Sequence, residues 1–75
     1  MSNKLTPVSR RELIKRLKKL GFDGHYPGSR HDVMALGEIS IIIPNSHRGE
    51  EISISLIARI LKQAIVSRQD WLDSK

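Results

Sequence analysis

The chain has 75 residues, 39% hydrophobic and 28% charged, with 13 Lys and Arg against 8 Asp and Glu for a formal net charge of +5. That length gives one domain with room for one thin core, and the composition excludes a disordered tail. The absence of cysteine excludes disulfides and thiolate metal sites and fits a reducing compartment, and no apolar run approaches the roughly 20 residues that span a bilayer.

Residues 1–8 read as a flexible lead-in punctuated by Pro7. No apolar signal segment stands behind the charge of Lys4, so a cytoplasmic chain is expected. A single domain is expected over residues 9–73. It opens with Ser9-Arg10-Arg11-Glu12, a capping box in which the serine accepts from the backbone of Glu12 and the glutamate reaches back. Val8 and Leu13 stand where a hydrophobic staple sits. Leu13, Ile14, Leu17 and Leu20 form an apolar stripe at helical spacing. Arg10, Arg11, Lys15, Arg16, Lys18 and Lys19 take most of the other positions and read mainly as a solvated face. Gly21 caps the C-terminus.

Phe22 to Tyr26 is a short first strand. A second runs from His31 to Leu36, with His31, Val33 and Ala35 on one face and Asp32, Met34 and Leu36 on the other. Gly37-Glu38 is a tight link to a third strand, Glu38 to Ile43, whose Ile39, Ile41 and Ile43 share a face. Asn45 to Glu51 is a polar loop. Ser53 then caps a helix with Leu56, Ile57, Ile60, Leu61 and Ala64 as its stripe, and Ser67-Arg68-Gln69-Asp70 opens a short last turn with Trp71 and Leu72. Helix, strands, helix contains no βαβ unit. The expected fold is α+β, a small antiparallel three-stranded sheet with both main helices on one face and a short C-terminal helix. Its core would be Leu13, Leu17, Ile39, Ile41, Ile43, Ile57 and Leu61, with the other sheet face open to solvent or a partner.

The cation excess points to an anionic partner, nucleic acid first, an acidic protein second and a membrane surface third. There is no Walker loop, His-Glu-x-x-His, dinucleotide fingerprint or nucleophile elbow. His25, His31 and His47 match no standard zinc spacing, so neither metal nor cofactor is expected. The stretch Gly28-Ser29-Arg30-His31 has what RNA cleavage needs. A 2′-hydroxyl attacking its neighbouring phosphate requires a base, a proton for the leaving oxygen, and positive charge on the phosphate. His31 can serve either proton transfer, Arg30, Arg48 and the first-helix cations can serve the charge, and Ser29 can position a phosphate oxygen. On residue chemistry alone, an ordinary exposed strand histidine is the simpler reading.

Four stretches together carry a resemblance. They are Arg11-Glu12-Leu13-Ile14-Lys15 through Leu20-Gly21-Phe22, Gly28-Ser29-Arg30-His31, Ile43-Pro44-Asn45-Ser46-His47-Arg48-Gly49, and Ile60-Leu61-Lys62-Gln63-Ala64 with Ser67. In order and spacing, from about Pro7 to Leu72, the chain resembles a HicA-type toxin of the YcfA-like family, the mRNA interferase half of a type II toxin–antitoxin pair. The resemblance implies a fold like a double-stranded-RNA-binding domain, α-β-β-β-α, and an endoribonuclease that cuts mRNA. It places the catalytic histidine on His31. Gly28 and Ser29 match the turn before it, and His47 matches a recurrent family position. RNA binding is expected from Gly28, Ser29, Arg30, His47, Arg48, Lys15, Lys18 and Lys19. A HicB-type antitoxin covering the active site is the implied protein partner.

The chain departs from the family pattern at three points. Arg30 precedes a single His31 where many members carry two adjacent histidines. Tyr26-Pro27 stand where a basic residue is common. Ile65 replaces the glycine usual after Lys-Gln-Ala, which should alter only the end of the second helix. Two rival functions keep the charge without the chemistry: a non-catalytic RNA-binding module of the same fold, and a protein-interaction domain for an acidic partner.

Overall fold

The computed structural model of the chain describes residues 4–27, 32–44 and 51–74. The first helix, α1 (Arg10–Lys19), starts where the capping box places it: Ser9 is extended and its hydroxyl accepts from the Glu12 N–H at 3.0 Å. Its far end closes as a Schellman motif. Gly21 takes a φ of +103°, its N–H donates to the Lys18 carbonyl, and the Phe22 N–H donates to the Leu17 carbonyl, both at 3.0 Å. The backbone reversal drops Phe22 into the core beside Leu17.

Three strands follow, β1 (Asp23–Pro27), β2 (Asp32–Leu36) and β3 (Ile39–Ile43), in spatial order β1-β2-β3 and antiparallel throughout. The β2–β3 hairpin turns at Gly37, whose φ of +59° suits the first central residue of a two-residue link. The β1–β2 register slips between Asp23 and Tyr26, and Gly24 sits inside the slip with a φ of +124°. The remaining helices are α2 (Ile54–Ala64) and α3 (Arg68–Leu72). Ser53 accepts from Leu56 N–H at 3.3 Å and Ser67 from Asp70 N–H at 3.0 Å, so both predicted caps form. The α-β-β-β-α order and short final helix are as the sequence implied.

The pairing Met34↔Ile41 sets the sheet's inner face, which also carries Ile43. These three are at most 1% exposed and pack with Leu13, Leu17, Ile57 and Leu61 from the two main helices. Ile39 lies at the rim of this core and is only half-buried. The pair Val33↔Ile42 occupies the outer face, where Ile42 is 55% exposed.

Two expectations need correction. Residues 1–8 were expected as a flexible lead-in, but Leu5 and Val8 are buried in the core, and Val8 exchanges backbone hydrogen bonds with Ile52. Both side chains cover apolar surface that two helices on one small sheet leave uncovered. Arg16, read as part of a solvated cationic face, is buried at 3% exposure. Its guanidinium stacks on Trp71 and donates to the Trp71 carbonyl and to the Ser74 hydroxyl. Position 16 therefore faces α3 rather than solvent, and its charge stays buried because α3 supplies acceptors for it.

Candidate functional site

The segment carrying Gly28, Ser29, Arg30 and His31 and the segment carrying His47 and Arg48 lie outside the described residues. Their attachment points are described, and three of the four, at Pro27, Asp32 and Pro44, stand at one end of the sheet. Residues 28–31 join Pro27, the last residue of β1, to Asp32, the first of β2, and Pro27 pairs with Asp32. Asp32 also pairs with Ile43, the last residue of β3. Pro44 follows, and residues 45–50 then lead to Glu51 and Ile52, which is bonded to Val8 beside the start of α1. Neighbouring strands lie about 5 Å apart, so Pro27, Asp32 and Ile43 fall within roughly 10 Å of each other. Stretches separated in sequence thus depart from adjacent strand ends.

Arg10 bridges these roots. It is the first residue of α1, its Nε donates to the Pro44 carbonyl at 3.2 Å, and its Nη2 pairs with Asp32 Oδ2. Sequence reasoning had assigned Arg10 to the solvated face of the helix and had not singled out Asp32. No local signal marks it: Arg10 and Arg11 both oppose the macrodipole of the first turn, yet Arg11 is exposed.

The predicted phosphate-binding lysines are placed directly. Lys15, Lys18 and Lys19 are all exposed on α1, as is Arg11. Positions 11, 15 and 18 follow one another at helical spacing, with Lys19 beside Lys15, so the four make a basic ridge along the helix side away from the sheet. Arg16 does not join this ridge, since its charge is directed at Trp71 and Ser74. Among the described residues, no cluster of three or more His, Cys, Asp or Glu side chains could hold a metal ion. No helix among them is long and apolar enough to cross a membrane.

Set against known proteins, the chain matches the family model for the HicA toxin of bacterial toxin-antitoxin systems over residues 10–66. The match begins at Arg10, includes all three strands and α2, and spans both segments attached at Asp32 and Pro44. No curated protein and no solved structure matches the chain.

Proposed function

The chain belongs to the HicA toxin family, and from that premise we propose that it is a metal-independent endoribonuclease that cuts mRNA through His31. The observation that carries this reading is the family match over residues 10–66, which takes in the Gly28-Ser29-Arg30-His31 stretch and the basic helix together.

The chemistry balances without an outside reactant. The 2′-oxygen of a nucleotide attacks the adjacent phosphorus and gives up its proton. The phosphorus–5′-oxygen bond breaks, and the departing 5′-oxygen takes up a proton. The products are a 2′,3′-cyclic phosphate and a 5′-hydroxyl. His31 takes the first proton or delivers the second, a role its near-neutral pKa range suits. Arg30 and Arg48 neutralise the charge that grows on the phosphate oxygens, and Ser29 donates to one of them, with the missing side chain of Gly28 letting the backbone come close. His47 lies on the second segment and contacts the RNA. Lys15, Lys18 and Lys19 hold the flanking backbone by charge.

A toxin of a toxin–antitoxin pair has an antitoxin as its partner. We infer a HicB-type protein, acidic enough to cover the cations that RNA would otherwise occupy, and action in the cytoplasm, where the mRNA is. Induced expression of the wild type beside His31→Ala, reading growth and mRNA integrity, tests the proposal. Growth arrest with mRNA loss in the wild type alone is the expected result. Arrest by both proteins would exclude His31 as the catalytic group and favour an RNA- or protein-binding module.

A further inference from the structure

We propose that the exposed side of α2 is a docking surface for an acidic segment of the antitoxin, which sets an apolar side chain into a cleft beside Ile65. The inference rests on the antitoxin partner stated above and is independent of His31 and of RNA cleavage. The cleft, of about 220 Å³, opens between α2, Leu5 and the link to α3, and is lined by Leu5, Ala58, Leu61, Lys62, Val66 and Arg68. Four of these are apolar, while Lys62 and Arg68 are exposed cations. The volume suits one large apolar side chain. Ile54, 46% exposed at the start of α2, stands at helical spacing from Ala58 and Leu61, so the apolar strip continues toward that end of the helix.

Ile65 separates this surface from an incidental hollow. It ends α2 in the left-handed conformation, at φ +57° and ψ +42°, and is 79% exposed. Its own N–H donates to the carbonyl of Lys62, and the next residue is Val66, so it is held between two residues that line the cleft. Glycine would make the same turn without strain, and the fold recovers little by burying a side chain so exposed. A strained residue marks a place where something other than local stability uses its side chain. For an exposed, branched, apolar side chain next to an apolar cleft, that use is contact with another molecule.

Charge selects the occupant. Among the described residues neither Lys62 nor Arg68 pairs with a carboxylate, and none of the residues lining the cleft is acidic. A second copy of the chain would bring these cations against themselves. RNA would find the cations, but the lining has no aromatic ring on which a base can stack, and apolar walls give a phosphate nothing. A protein segment with carboxylates flanking an apolar residue complements both the rim and the floor.

The test is the affinity of the purified full-length chain for the purified product of the adjoining gene, the protein a toxin–antitoxin pair supplies. Melting, RNA binding and sedimentation of the free chain are measured alongside. Ile65→Gly should bind that protein at least about tenfold more weakly, as loss of an interface anchor does, although it melts no lower than the wild type. Ile65→Leu keeps the apolar contact and should bind close to wild type. Ala58→Gln, which lays a polar side chain over the cleft, and Lys62→Gln/Arg68→Gln, which removes the rim charge, should each weaken binding by about tenfold. RNA binding by Ile65→Gly should match the wild type.

Undiminished affinity in Ile65→Gly or in Lys62→Gln/Arg68→Gln would overturn the docking site and leave the antitoxin reading standing. A larger loss of RNA affinity than of protein affinity in Lys62→Gln/Arg68→Gln would assign the surface to RNA and overturn it as well. So would a wild-type chain that self-associates and becomes monomeric as Ile65→Gly, since the occupant is then a second copy. If the adjoining product fails to bind the wild type, the docking site and the antitoxin reading fall together.

Discussion

The guanidinium of Arg16 lies over the indole of Trp71, with 3.9 Å between its central carbon and the ring centroid. The same group donates to the Trp71 carbonyl at 2.5 Å and to the Ser74 hydroxyl at 3.1 Å, and Ser74 in turn donates to that carbonyl at 2.6 Å. One buried cation therefore fastens the last turn of α1 to α3 and the residues just after it. Its charge sits near the C-terminal end of α1, where the helix dipole favours it. Burial lowers the proton affinity of Arg16, and Glu12, one turn earlier, pulls the other way.

Replacing Arg16 by methionine keeps the apolar stem but removes both donors. Loss of charged hydrogen bonds in a buried site should cost about 2–4 kcal/mol. Urea unfolding followed by the fluorescence of Trp71, the single tryptophan of the chain, measures it directly. A loss below about 0.5 kcal/mol, the usual range for a surface substitution, would show that the contact holds nothing together.

Ile65 should be better as glycine. α2 ends in the same motif as α1: the Val66 N–H donates to the Leu61 carbonyl at 2.9 Å and the Ile65 N–H to the Lys62 carbonyl at 3.3 Å. The left-handed position that Gly21 fills in α1 is filled here by Ile65, at φ +57° and ψ +42°. A β-branched residue is strained there by about 1–2 kcal/mol, and its side chain, 79% exposed, recovers little by burial. Glycine gives back part of that gain through its greater freedom in the unfolded chain. Ile65→Gly should therefore stabilise the fold by about 1 kcal/mol, raising the melting temperature by roughly 4–8 °C. An unchanged or lower melting temperature would contradict this account of the helix end.

These cases mark how far the sequence alone reaches. Ser9, Ser53 and Ser67 cap helices as read, because a cap involves residues three apart. Gly21 and the alternation of Ile41 and Ile43 were legible for the same reason. Arg16 was not: its acceptors lie 55 and 58 residues away, and a cation within a cationic stretch gives no local sign of burial. Leu5 was missed because Pro7 and the polar residues around it suggest a loose start; Val8 was legible as a staple partner of Leu13, but not as the backbone partner of Ile52, which lies far along the chain. At the site, the residue types that suit RNA cleavage could be picked out one by one. The bridging of their strand ends by Arg10 could not, since Pro44 is 34 residues away and Asp32 is 22. The departure at Ile65 was visible as an unusual residue, but its cost became legible only from its backbone angles.

RNA binding should weaken steeply with salt and report the ridge on α1. Each phosphate neutralised on single-stranded RNA contributes about 0.7 to the slope of log K against log salt. The Lys15→Gln/Lys18→Gln/Lys19→Gln variant should therefore flatten that slope by about 2. Binding titrations over a salt series, using His31→Ala to prevent cleavage, give the slopes. An unchanged slope in the triple variant would move the RNA off α1.

Cleavage should proceed unchanged in excess EDTA. In the proposed mechanism His31 moves the proton and arginine neutralises the phosphate, so no step is assigned to an ion. If chelation stops the cutting and added magnesium or zinc restores it, the proposed mechanism is wrong.

The central claim is that His31 performs the proton transfer, and the most direct measurement is the cleavage rate of purified His31→Ala alongside its melting temperature and its affinity for RNA. Losing a general acid or base costs about a hundred- to ten-thousand-fold in rate, or roughly 3–5 kcal/mol of barrier. A group needed only for proton transfer is needed for the rate and not for the fold. The expected result is a rate lower by at least about a hundredfold, with melting and binding close to wild type and with smaller losses in His25→Ala and His47→Ala. A His31→Ala protein that cuts RNA at the wild-type rate, or one that is inactive only because it has unfolded, contradicts the account.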